Sequence, residues 1–126
     1  MALAYVDTSF LLADAFGQRP AKSRGPKLAD FDTIIAARFL EAEFYSAFRR
    51  ESLSPDTAFL DPITWIDVNR SLALELETVL KAGYVRGADS WHLATALFAL
   101  PVPHDATFLT FDLQQRAVAK ALGFRV

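Results

Sequence analysis

The sequence predicts an α/β domain built on a parallel sheet, and three observations carry that expectation. Short apolar runs of strand length alternate with stretches of helical period, and no two-residue hairpin turn joins one run to the next. The runs are also unbroken rather than alternating, as strands buried on both faces are. With 126 residues, 52% of them hydrophobic, the chain is of a size for one domain, residues 1–126, with a full core.

Leu3 to Val6 is the first strand. Thr8 or Ser9 is placed to cap the helix that follows, in which Phe10, Leu11, Leu12, Ala13 and Ala15 are apolar, and Gly17 and Pro20 end it. A polar stretch from Gln18 to Gly25 leads to a short helix around Pro26 to Phe31. Thr33 to Ala37, rich in β-branched residues, is the second strand. From Arg38 to Glu51, the spacing Leu40, Phe44, Ala47, Phe48 makes an apolar helix stripe. Pro55 and Pro62 bracket a connector to a short third strand, Ile63 to Ile66. Asp67 or Asn69 then caps a helix that runs to Ala82 and stops at Gly83. Ala88 to Leu100 is a helix ended by Pro101 and Pro103, Thr107 to Phe111 the fourth strand, and Leu113 to Leu122 the last helix. Phe124 to Val126 is a terminal edge strand. Strands and helices in this order imply right-handed crossovers.

Composition excludes several classes. The longest apolar stretch, Leu93 to Val102, is interrupted by Pro101 and is far shorter than the roughly 18 residues of a membrane span, so no membrane is expected. The first residues lack the basic start and long apolar segment of a secretory signal. The absence of cysteine rules out thiolate metal sites and disulfides and is compatible with the cytoplasmic location expected. A net charge of −2 speaks against binding nucleic acid through an overall positive field. Lys22, Arg24 and Lys27, with Arg49 and Arg50, form two local basic clusters that read as solvated faces.

Chemistry concentrates in the acids. In open α/β sheets the ligand crevice lies beyond the carboxyl ends of the strands, where Asp7 and Asp112 fall. Asp32 and Asp105 precede their strands and belong to the opposite edge. Asp89 shares a face with Leu93 and Ala96, which puts a carboxylate on the buried side of a helix. Its place in the first turn, next to the positive end of the helix dipole, is the benign alternative. Glu41 and Glu43 both flank the Leu40/Phe44 stripe, and periodicity does not separate them. Carboxylates gathered from distant segments repel one another in a low dielectric and need a cation or shared protons, so the pattern predicts a metal site. Mg²⁺ and Mn²⁺ suit all-oxygen donors without Cys or clustered His. A phosphatase with an Asp nucleophile would have a second Asp where Ser9 stands, and no acidic pair with a suitably placed Lys supports a receiver domain.

Four segments together carry a resemblance: Tyr5-Val6-Asp7-Thr8-Ser9-Phe10-Leu11-Leu12; Leu40-Glu41-Ala42-Glu43-Phe44; Arg86-Gly87-Ala88-Asp89-Ser90-Trp91-His92-Leu93-Ala94-Thr95-Ala96; and Phe108-Leu109-Thr110-Phe111-Asp112. In this order and at these separations the chain resembles PIN-domain proteins, and among them VapC-type ribonuclease toxins. The resemblance implies a PIN-like three-layer α/β/α fold with a central parallel sheet of four to five strands. It selects Asp7, Glu43, Asp89 and Asp112 as catalytic and metal-binding residues. It also implies RNA endonuclease activity with Mg²⁺ or Mn²⁺, a small antitoxin as partner in a type II toxin-antitoxin pair, and a homodimer. The chain departs from the family at Arg38, where a small hydroxyl residue is common, in a short connector after Arg50, and at Leu113-Gln114, where relatives carry a further polar or acidic ligand.

Asp7, Asp89 and Asp112 are expected to ligate metal directly or through water, and Glu43 to orient, deprotonate or ligate the attacking water. Thr8, Ser9 and Thr110 offer hydroxyls that hold metal waters or fix carboxylates, with helix capping an equal reading for the first two. His92, at i+3 from Asp89, reads as a structural hydrogen bonder, and Trp65 and Trp91 as core. Phe44, Phe48 and Phe98 are candidates for outer helix faces that would support a dimer.

Overall fold

A computed structural model describes residues 2–18 and 25–126. Its order is β1 (Leu3–Val6), α1 (Thr8–Ala15), β2 (Thr33–Ala37), α2 (Phe39–Arg50), β3 (Ile63–Ile66), α3 (Ala73–Ala82), α4 (Gly87–Ala99), β4 (Ala106–Leu109) and α5 (Leu113–Ala121). Single 3₁₀ turns at Leu28–Asp30, Thr57–Leu60 and Pro103–Asp105 lead into β2, β3 and β4. The four strands form one parallel sheet in the order β3-β2-β1-β4.

Side-chain alternation divides the core into two. Tyr5, Ile35, Ala37 and Phe108 face Val79 of α3, Leu93 and Ala96 of α4 and Val118 of α5. Ala4, Val6, Ile34, Ala36 and Leu109 face Phe10 and Leu11 of α1 and Leu40, Phe44 and Phe48 of α2. Helices therefore cover both faces, as an all-parallel sheet requires, and the architecture is three-layer α/β/α. β1 is the central strand. The chain leaves it toward β2 and β3, then crosses back to lay β4 on its other side, so the carboxyl ends of β1 and β4 flank the point where strand order reverses. Ligand crevices of open α/β sheets form there.

Several expectations need correction. Asp7 itself, not Thr8 or Ser9, caps α1: its backbone is extended and its carboxylate accepts the Ser9 N–H. Asp67 and Asn69 do not cap α3, because that helix begins only at Ala73, where the Ser71 hydroxyl accepts the first free amide. β4 stops at Leu109, short of Phe111, because the next amides turn to side chains: Phe111 N–H to Ser9 Oγ and Asp112 N–H to Thr110 Oγ1. The terminal segment makes one bridge, Thr107 with Arg125, rather than a fifth strand. Phe44 and Phe48 are buried against the sheet, since the α2 stripe points inward, and Phe98 is partly buried beneath the Arg70 guanidinium. Pro20, Lys22 and Arg24 lie outside the described residues. Among the described residues no helix is long and apolar enough to cross a membrane.

Gly83 ends α3 for a steric reason. Its backbone is extended, with φ at 166°, and a Cβ there would sit 2.8 Å from Val118 Cγ2, on a buried, β-branched side chain with little room to turn. Gly83→Ala is expected to lower the unfolding free energy by about 1–3 kcal/mol. Urea denaturation of Gly83→Ala, Val118→Ala and the double variant checks the contact. The double variant should recover most of the Gly83→Ala loss, and strictly additive losses would contradict it.

Candidate functional site

Each expected acid is positioned by a strand end or a helix start. Asp7 follows β1 directly and is 3% exposed. Its Oδ2 accepts the Ser9 amide at 3.1 Å and the Ser9 hydroxyl at 2.7 Å, with Thr110 Oγ1 at 3.3 Å. Its Oδ1 lies 3.4 Å from Gln115 Nε2 and 3.7 Å from His92 Nε2. Asp112 caps α5, accepting the Gln115 amide on Oδ1 at 2.8 Å. Both aspartates thus spend one carboxylate oxygen on a helix N-terminus, and capping alone accounts for that half of each side chain. Asp112 Oδ2 has no donor among the described residues.

Asp89 sits in the first turn of α4, partly exposed, and among the described residues nothing donates to its carboxylate. Burial first, then repulsion from Asp7 and Asp112, raises its pKa above the ordinary value, with His92 and Arg86 offsetting part of the effect. The electrostatic coupling ties the three aspartates into one site.

Glu43 and Glu41 separate cleanly. Glu41 turns outward to Arg38, 3.7 Å away. Glu43 turns toward the strand ends, where Thr8 Oγ1 donates to its Oε1 at 2.6 Å and His92 Nε2 lies 2.6 Å from the same oxygen. Burial works against ionisation of Glu43, but the hydrogen bonds from His92 and Thr8 outweigh it and lower the pKa. Its Oε2 has no donor among the described residues.

His92, Tyr5 and Gln115 have a larger place here than their sequence patterns suggested. His92 is 1% exposed. Tyr5 Oη accepts the Ala37 amide at 3.1 Å and lies 3.0 Å from His92 Nδ1. The imidazole is thus held between Tyr5 on its Nδ1 side and Glu43 on its Nε2 side. Gln115, fully buried, accepts from Thr110 Oγ1 at 2.7 Å and turns its amide to Asp7 and to the Asp89 carbonyl at 3.3 Å. Gln114, at the position where the resembled family carries a further polar or acidic ligand, donates to the Tyr84 carbonyl at 2.7 Å. One readable signal was the Asp112-x-x-Gln115 spacing, the pattern of a capping box. Another was the place of His92 beside Leu93 and Ala96 on the inward face of α4. Tyr5 within an unbroken apolar run carried no such signal.

Thr8 and Ser9 hold carboxylates by direct hydrogen bonds, while Thr110 donates its one proton to Gln115, which in turn faces Asp7. Asp67 stands apart, exposed and paired with Arg38 at 3.2 Å, while Asp32 and Asp105 lie at the amino ends of the strands as expected. Among the described residues no group of three or more His, Cys, Asp or Glu side chains is placed to hold a metal ion. The donor set suits Mg²⁺ nonetheless. That ion keeps several waters and is usually held by one or two carboxylates plus substrate phosphate, and the site offers Asp89 without donors and one open oxygen on Asp112. Compared with models of known families, with curated proteins and with solved structures, the chain finds no match.

Two predictions test this network. Tyr5→Phe strands the Ala37 amide and His92 Nδ1 in the core, and urea denaturation should show a loss of about 1–3 kcal/mol; an unchanged midpoint would contradict the place given to Tyr5 in the network. Asp89 has a folded pKa above its unfolded one, so its ionisation favours the unfolded state, and stability is lost as pH rises through the carboxylate range. Without divalent metal, Asp89→Asn should therefore raise the melting temperature at neutral pH, and the gain should vanish in acid, where Asp89 is protonated in both states. A gain that grows on acidification would reverse the assigned sign.

Proposed function

We propose that this protein is a Mg²⁺- or Mn²⁺-dependent endoribonuclease that hydrolyses RNA phosphodiester bonds, acting as the toxin of a toxin-antitoxin pair with a small protein antitoxin. The observation that carries the hydrolytic reading is the meeting of Asp7, Glu43, Asp89 and Asp112 at the carboxyl ends of β1 and β4, with Asp89 strained by the other aspartates. RNA as substrate, the antitoxin and a homodimeric state rest on the resemblance to VapC-type PIN proteins.

The roles follow from the hydrogen bonds. Asp89 and Asp112 would hold the cation through oxygens that no donor among the described residues occupies, beside Asp7, whose carboxylate is held by Ser9 and Gln115. A bound Mg²⁺ or Mn²⁺ supplies Lewis-acid polarisation of the phosphate and a more acidic water. Glu43, held at Oε1 by Thr8 and His92, presents Oε2 to the attacking water. From there it accepts a hydrogen bond from that water and orients it. The water oxygen forms the new bond to phosphorus and releases one proton to solvent, the bond to the leaving ribose oxygen breaks, and that oxygen takes one proton from solvent.

Defined tRNA and ribosomal RNA, incubated with purified protein freed of co-purifying partners and either metal, test the reading. Discrete fragments should appear, vanish with chelator, and fall by about 100-fold or more in Asp7→Asn. Asn preserves the cap of α1 while removing the charge, so the loss would not come from a frayed helix. Intact RNA with both metals and folded protein would remove the proposal.

A further inference from the structure

An aromatic groove borders the carboxylates, over the carboxyl ends of β2 and β3. It is lined by Arg38, Phe39, Asp67 and Trp91 above Ala37 and Ile66, with a volume of about 420 Å³, the scale of a small-ligand cleft. A second hollow of about 250 Å³, lined by Phe39, Gly87, Ala88 and Trp91, shares both aromatic side chains with it. Phe39 is 42% exposed although it opens α2, and its ring lies 5.9 Å from that of His92. His92 in turn bonds Glu43, and Trp91 follows Asp89 by two residues. The groove therefore begins where the carboxylates end.

Its rim combines opposite hydrogen-bonding characters. The Arg38 guanidinium lies over the Trp65 ring at 4.9 Å and donates to Asp67 at 3.2 Å, which fixes a flat donor fork beside an acceptor carboxylate. Among the described residues Arg38 is the one cation lining the groove, and Asp67 and Glu41 already answer its charge. A phosphate would find little attraction there. A flat, uncharged ring with donors and acceptors along its edge would stack on the aromatic side chains and meet both Arg38 and Asp67. An unpaired nucleobase has that chemistry, whereas a base within a duplex has its faces stacked and its pairing edge occupied.

We propose that this groove receives one unpaired nucleobase flanking the scissile phosphodiester, so that the substrate is single-stranded at that nucleotide. The proposal rests on the nuclease reading above and names the substrate feature that the same site selects.

Fluorescence anisotropy tests it on full-length Asp7→Asn protein, which holds RNA without cutting it, using labelled single-stranded oligoribonucleotides in Mg²⁺. A single abasic site is walked along the oligonucleotide. One position should weaken binding by about tenfold, within the range of base–aromatic stacking. Adding Phe39→Ala should weaken the intact oligonucleotide by a similar factor and make that abasic site cost nothing further, and Phe39→Trp should restore both. Losses that multiply instead, Phe39→Ala binding like the parent, or a duplex of the same sequence binding equally well would each overturn the proposal. So would light scattering in which Phe39→Ala splits a dimer, because a second copy would then fill the groove. A parent that binds no RNA removes this proposal together with the nuclease reading. A protein that cleaves RNA with unchanged KM in Phe39→Ala removes the groove proposal alone.

Discussion

Four elements meet in one chain of hydrogen bonds, and the geometry of the candidate site hangs on it. The Ala37 amide at the end of β2 reaches Tyr5 of β1, Tyr5 reaches His92 of α4, and His92 reaches Glu43 of α2. His92 and Glu43 come from opposite helical layers, so the chain ties the two layers together above the strand ends. Buried polar atoms demand partners, and each link here satisfies the next. Removing one member leaves its neighbours unsatisfied in a dry interior, which makes the arrangement of Glu43 a property of the whole fold rather than of α2.

The aspartates show a related economy of position. A parallel strand that hands over to a helix leaves free amides at its carboxyl end, and an Asp at that junction satisfies them. Asp7 and Asp112 do so with one oxygen each, which fixes their side chains without exhausting them. Ser9 of α1 and Gln115 of α5 then brace Asp7, and Thr110 at the end of β4 fixes Gln115 by donating to its amide oxygen. Asp89 lacks such support and bears the repulsion of Asp7 and Asp112 as well as the cost of burial, at some expense of stability.

Layer order and strand polarity were legible because they follow from local pattern: unbroken apolar runs for β1 and β2, a clear inward stripe for α2, and acids directly after strands. The strand rule brought out Asp7 and Asp112, and inward placement on α4 brought out Asp89. Glu43 was not separable from Glu41 by periodicity, since the choice depends on where His92 and Thr8 stand. Boundaries failed where side chains took over backbone partners, as at Thr110 and Ser9, which end β4 early. Tyr5 escaped notice because its partners stand 32 and 87 positions away, which no short window contains, and the spacing of Gln115 from Asp112 shows its cap but not its reach to Asp7, 108 positions back.

The register of the central strand has a consequence for how the protein is made. Leu3 pairs with Thr33 on one side and with Ala106 on the other, so the second partner of β1 lies about a hundred residues downstream. Closing so long a loop is slow, and the core of the α3–α5 layer cannot form until β4 has been synthesised. Asp89 and Asp112 reach Asp7 only through that same closure. The nascent chain therefore carries scattered carboxylates and no assembled cluster until Asp112 and the residues around it have been synthesised.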